Sequence, residues 1–201
     1  MSTTIFSQHS SATFTSPRGT APAAHLPQVR YYSESEEKTY ARRPHTRRTF
    51  SKDPFLDRFG TALPEGLKEE AEGMSWREFF STYSPTGAVS IRHLSSERLR
   101  MGRFRFTATL SMEGPQGRTT ATREIIATGP VSACTNLLAD AGRRVEIVRF
   151  HQYEIFQATV TFIRTHHHGR YAWAMGFGAD AEQSAATALS AAAHRLHQPA
   201  A

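Results

Sequence analysis

The chain has 201 residues, one cysteine, 39% hydrophobic residues and a formal net charge of +6. That length suits one ordinary domain with extensions and excludes a (β/α)8 barrel, which takes roughly 250 residues by itself. A lone Cys134 excludes an intramolecular disulfide, and no stretch approaches the ~18 apolar residues of a membrane span, so a soluble cytoplasmic protein is expected.

The charge is unevenly placed. Residues 1–60 hold nine Lys/Arg against five Asp/Glu, which leaves 15 against 13 for the remainder, so the arm carries +4 of the +6. Ile5 and Phe6 stand among Ser, Thr, His and Gln, without the continuous apolar run of a secretory signal. From Met1 to about Gly60 no period of 2 or 3.6 is sustained, and a disordered basic arm (1–60) is expected. Its cluster Arg42, Arg43, Pro44, His45, Thr46, Arg47, Arg48 suits nucleic acid electrostatically. No RNA-binding module follows it, so a solvated charged tail is the expectation.

Residues 61–100 read as a linker helix and a short strand. Pro64 to Glu72 holds helix formers, and Ser75 is a suitable N-cap for a short aromatic-faced helix through Trp76, Phe79, Phe80 and Tyr83. Pro85 and Gly87 stop it, and Val89, Ile91 and His93 alternate as a strand. In residues 101–198 the patterning is strongest. Phe104, Phe106, Ala108, Leu110 and Met112 alternate with polar residues, Gly114 to Gly117 make a turn, and Arg118 to Ala127 return as the partner strand. Gly129 then suits an N-cap and Pro130 the first helical position, with Val131, Cys134, Leu138 and Ala141 on one stripe ending near Gly142. The plan repeats: Val145, Ile147 and Phe150 begin a strand, another runs from about Glu154 to Arg164, and His166 to Gly169 turn into Tyr171 to Phe177. A turn at Gly176, Phe177 and Gly178 is expected to feed a helix capped by Asp180, with Ala181, Ala185, Ala188, Ala192 and Leu196 on one face.

Few residues suggest chemistry. The triple histidine lacks ligand partners at zinc spacing, Cys134 falls on an apolar helix face where packing is expected, and His151 with Glu154 lacks an orienting third group. His194 and His197 suit the last helix's dipole. No catalytic residue, metal or cofactor is expected. Gly129 and Gly176/Gly178 stand where strands feed helices, and backbone amides at helix starts can hold a carboxylate across one shared site.

From Ser75 to His197 the chain resembles the C-terminal part of α-isopropylmalate synthases, enzymes of leucine biosynthesis, particularly the actinobacterial type. The resemblance rests on Trp76 to Tyr83, on Gly129-Pro130-Val131-Ser132-Ala133 with Leu138 to Gly142, and on WAMGFGADAEQSAATALSAAAHR from Trp173 to Arg195. In that family this region is an allosteric dimerisation domain of two similar strand/helix units that binds leucine near the subunit interface; the catalytic barrel has no counterpart here. The resemblance implies an α+β fold of two pseudo-repeated β-hairpin/strand plus α-helix units, helices packed on antiparallel sheet, after a short linker helix. It further implies a non-catalytic regulatory or amino-acid-sensing module, forming a homodimer or pairing with a related full-length synthase. The alternative is a protein–protein interaction module with a degenerate pocket. Carried over, the ligand positions are Gly129, Pro130 and Val131 at the first turn, Ile147 and Phe150 on the strand, and Gly176, Asp180 and Ala181 at the second turn, for leucine or another small amino or oxo acid. Arg149-Phe150 stands where the family has Asp-Tyr, and the loop that closes over leucine is missing between Phe150 and Val160.

Overall fold

Asp53 to Gln198 are the residues the computed structural model describes. Arg42 to Arg48 and the rest of the expected basic arm through residue 52 lie outside them. Structure begins earlier than the sequence suggests, since Pro54–Phe59 form a helix (α1) inside the stretch expected to be disordered. Asp53 starts it. One carboxylate oxygen accepts from the amides of Phe55 and Leu56 at 3.1 and 2.9 Å, and the other accepts from Leu63 at 2.9 Å. A single carboxylate therefore caps the helix and anchors the chain that follows it. Such a six-residue helix is too short to show a hydrophobic period, which is why the pattern did not reveal it.

Leu67–Glu70 (α2) and Trp76–Tyr83 (α3) complete the linker. The expected Ser75 cap closes a full capping box with Glu78: Glu78 N–H donates to Ser75 Oγ at 3.3 Å, and Ser75 N–H donates to the Glu78 carboxylate at 2.8 Å. Ser75 Oγ also donates to that carboxylate at 2.7 Å, and the hydroxyl first, then the backbone N–H, lowers the Glu78 pKa.

Two βββα repeats follow. The first comprises β1 (Val89–Arg98), β2 (Phe104–Gly114), β3 (Gly117–Ala127) and α4 (Pro130–Asp140); the second comprises β4 (Glu146–Ile155), β5 (Ala158–His167), β6 (Arg170–Gly178) and α5 (Ala181–His197). Each triplet makes its own antiparallel sheet in sequence order. The fold is therefore α+β, with two three-stranded sheets and helices packed on them. The expected hairpin closes at Gly114 and Gly117, in unbroken register from Phe104 opposite Ala127.

Helix α5 is central. It packs on β6 and β5, and also on β1 and α4, so it joins the two repeats. The expected alanine stripe is only part of its buried surface: Ala186, Leu189, Ser190, Ala191 and Ala193 are buried too, while Ala181 is exposed. Nearly every face of this helix meets protein, which removes the amphipathic contrast that a solvent-facing helix shows. Behind it the second sheet alternates. Ile163 and Ala174, paired in register, join the core under α5. Val160, Phe162, Trp173 and Met175 join the opposite core with Phe55, Phe79 and Tyr83. Phe55 lies edge-on to Phe162 at 5.0 Å between ring centroids. Thus α1 to α3 cover the face of the second sheet that α5 leaves free.

Two expected boundaries are corrected. A single strand, β4, runs through Phe150 to Ile155, and the reversal comes at Phe156-Gln157. Phe156 adopts φ 50, a left-handed conformation usually signalled by Gly or Asn, so the turn carries no ordinary sequence mark. Gly176 and Gly178 lie inside β6 rather than in a turn. Their role is close approach: a Cβ on Gly176 would collide with the backbone of Ala188 and stand 2.6 Å from the Ser184 carbonyl oxygen. Helix α5 can lie on the sheet only because both positions lack side chains.

Candidate functional site

The two helix starts differ although their topology is the same. At the first, Gly129 is extended (φ −171, ψ 169), and Pro130 occupies the first turn. Gly129 contributes no side-chain cap, and a Cβ there would meet nothing within 4 Å. The first intrahelical bond runs from Ala133 N–H to the Gly129 carbonyl at 3.0 Å. This helix start therefore presents the N–H groups of Val131 and Ser132 without a capping side chain. It borders an open groove of about 600 Å³ lined by Thr128, Gly129, Val131, Ser132 and Thr135, and by Val145, Glu146 and Ile147 from the next strand. Two segments separated by the whole of α4 thus converge. Glu146 sits in the groove with Arg144 Nε at 3.8 Å and His166 Nδ1 at 3.5 Å from its carboxylate.

At the second start Asp180 fills the position of Gly129. Its carboxylate accepts from Gln183 N–H at 2.7 Å, so the amide that an external anion would use is already engaged. Gln152 Nε2 lies 2.8 Å from Thr161 Oγ1, 2.9 Å from the Ala181 carbonyl and 3.1 Å from Ser184 Oγ. Thr161 and Ser184 hydroxyls are 2.7 Å apart. The depression beside it, about 420 Å³, is lined by Tyr153, Glu154, Phe156, Asp180 and Ala181 among others. Its negative cap and acidic rim are a poor match for a carboxylate.

The carried-over positions consequently divide. Gly129, Val131 and Ile147 meet in the first groove. Pro130 initiates α4 beside it without lining it, and Phe150, 40% exposed, lies farther along β4 outside the lining. Asp180 and Ala181 border the second depression, while Gly176 is beneath α5. The expectation of one site shared between both turns fails within a chain. Ile147 borders the first groove and Glu154 the second depression, and these two β4 residues, seven positions apart, are roughly 20 Å from one another along the strand.

The remaining candidates are placed as follows. His151 and Glu154, three apart on a strand, point to opposite faces; His151 lies over Trp173 with centroids 6.2 Å apart. Cys134 is buried, and burial, with the Glu182 charge adding, pushes its thiol up to about 12, so it stays protonated at neutral pH. His167 contacts His168 and His197 at ring-centroid distances of 4.0 and 4.7 Å. Among the described residues no group of His, Cys, Asp and Glu is arranged to hold a metal. His197 Nε2 lies 3.0 Å from the Arg144 carbonyl, and His194 Nε2 lies 2.6 Å from Gln198 Nε2.

One cluster escaped the sequence reading. Arg195 donates to the Trp173 carbonyl, and its guanidinium stacks 4.7 Å from the Tyr83 ring centroid. Burial first, then the charge of Glu70, pushes the Tyr83 hydroxyl up to about 12. The Arg195 and Tyr83 side chains bolt α5 to the linker helices; their separation along the chain hides any shared role.

Among known proteins, no family model matches the chain and no curated protein matches it. No helix among the described residues is long and apolar enough to cross a membrane.

Proposed function

We propose that this chain is a non-catalytic regulatory module, related to the allosteric domain of α-isopropylmalate synthases, that senses a small amino or oxo acid and forms a homodimer. The observation that carries this reading is the groove where the uncapped start of α4 meets Val145, Glu146 and Ile147. An amino acid matches its chemistry. Its carboxylate takes the Val131 and Ser132 N–H groups and the positive end of the helix. Its ammonium faces the Glu146 carboxylate, and a short apolar side chain rests against Val131 and Ile147.

The test is a thermal-shift series with leucine, isoleucine, valine and the corresponding 2-oxo acids. Ligand at ~100 times its dissociation constant stabilises by about 2.7 kcal/mol, a rise of roughly 5–10 °C for a domain of this size. Amino acids outperform their oxo counterparts if Glu146 holds the ammonium, and Glu146→Gln removes that preference. No shift with any of the six compounds overturns the sensing role. A protein-interaction module is the second reading, favoured by Val148 and Phe150, which are 49% and 40% exposed on β4.

A further inference from the structure

Sheet margins expose unpaired N–H and C=O groups, and folds ordinarily protect them with bulges, Pro, Lys or covering side chains. Here β1 is bulged at Arg92 and β4 at Val148, and the Trp173 carbonyl of β6 is taken by Arg195. β3 is the least protected margin: it has no bulge, and Arg123 reaches the Thr122 carbonyl of its own strand only at 3.5 Å, in an exposed contact that a pairing strand would replace. Its eleven residues keep unbroken register with β2, contain no Pro or Lys, and bury only Ala127. The margin is long, straight and open.

We propose that β3 pairs antiparallel with β3 of a second copy of this chain, about a two-fold axis through Ala121, joining two three-stranded sheets into one of six strands. The inference refines the homodimer part of the proposed function and requires no bound ligand. Register follows from symmetry. Residues opposite each other in an antiparallel seam share a face, so the two-fold axis passes through a residue rather than between two. With the axis at Ala121, Arg118 lies opposite Glu124 twice, and Thr120 lies opposite Thr122 twice between those ion pairs. Moving the axis to Thr120 sets Arg118 against Thr122 and carries Glu124 past the strand end to Gln116. Moving it to Thr122 sets Arg118 against Ile126 and Glu124 against Thr120. Only Ala121 makes the strand complementary to itself, with opposite charges and paired threonines of the kind that stabilise cross-strand neighbours. A seam one strand wide is smaller than a permanent interface, so association depends on concentration.

Sedimentation of the full chain over a concentration series tests this. The wild type dimerises; Arg118→Glu and Glu124→Arg each set like charges opposite one another and weaken dimerisation roughly tenfold or more. The double exchange R118E/E124R restores it. Arg118 also lies 3.7 Å from Glu113 in its own hairpin, an exposed pair, so Glu113→Gln serves as control and leaves dimerisation unchanged. Equal dimerisation by wild type and both single variants overturns the β3 seam while leaving a homodimer through another surface. A wild type that stays monomeric overturns seam and homodimer together, and the ligand-induced thermal shift then decides the sensing role separately.

Discussion

The two βββα repeats share one topology and divide the work of a domain unequally. The second is enclosed: its sheet carries α5 on one face and the aromatic residues of α1 to α3 on the other, and Asp180 and the Gln152–Thr161–Ser184 network engage polar groups at its helix start. The first is open: β3 is exposed along nearly its whole length, and α4 begins at a glycine with no capping side chain. The difference teaches that duplication supplies two equivalent helix starts, and that side chains at one position, Gly129 or Asp180, decide which can receive an outside anion. The enclosed copy buries both faces of its sheet; the open copy leaves a strand margin and a helix start exposed.

Substitutions can break this contrast. The largest effect is expected from Phe55→Ala, which empties the outer core of the second sheet and costs about 3–5 kcal/mol in chemical denaturation. A loss below about 1 kcal/mol would mean that α1 is not part of that core. Next comes Gly176→Ala, which drives a methyl group into the backbone of α5 and costs about 3 kcal/mol. The counterpart, Gly129→Ala, meets nothing and leaves stability within about 0.5 kcal/mol; equal losses at the two glycines would erase the distinction between packing and site.

Gly129→Asp sharpens the comparison by giving the first helix the cap of the second. It changes stability by only a few tenths of a kcal/mol, yet it places a carboxylate where the ligand's would sit, so the amino-acid thermal shift disappears. A retained shift in this variant excludes the α4 start as the carboxylate site.

The smallest effect is electrostatic. Partial desolvation, followed by the charges of His168 and His197, holds the His167 imidazole below its ordinary range near 6.5. The unfolded chain therefore binds this proton more readily, and the His167 contribution to stability declines as pH falls from about 6.5 through its lowered folded value. NMR titration should find His167 titrating below the ordinary histidine range, and His197→Gln should raise it; an unchanged His167 titration would show that His197 exerts no charge effect.

Local chemistry was legible where it is carried by neighbours in sequence. The alternation of Phe104 to Met112, the Gly114–Gly117 turn, the Ser75 and Asp180 caps and the Gly129-Pro130 helix start all depend on residues within a few positions, and each is present. The misreadings share a different cause. Phe156 makes a turn in a left-handed conformation that its side chain disfavours, and Asp53 holds α1 through an amide ten residues away. Of the eight carried-over positions, Gly129, Val131 and Ile147 come together in one groove, because the end of α4 returns the chain to its own start.

The sequence by itself determined a doubled run of strands, turn and helix, since period, cap and turn signals are short-range. Only the tertiary structure decided which glycine is packed against a neighbour and which is open. Gly176 faces a helix that touches its backbone, whereas Gly129 faces open space, and that distinction comes from elements packed against them rather than from the residues beside them. A helix start becomes a groove or a sealed joint according to what lies across from it, and that neighbour is remote along the chain.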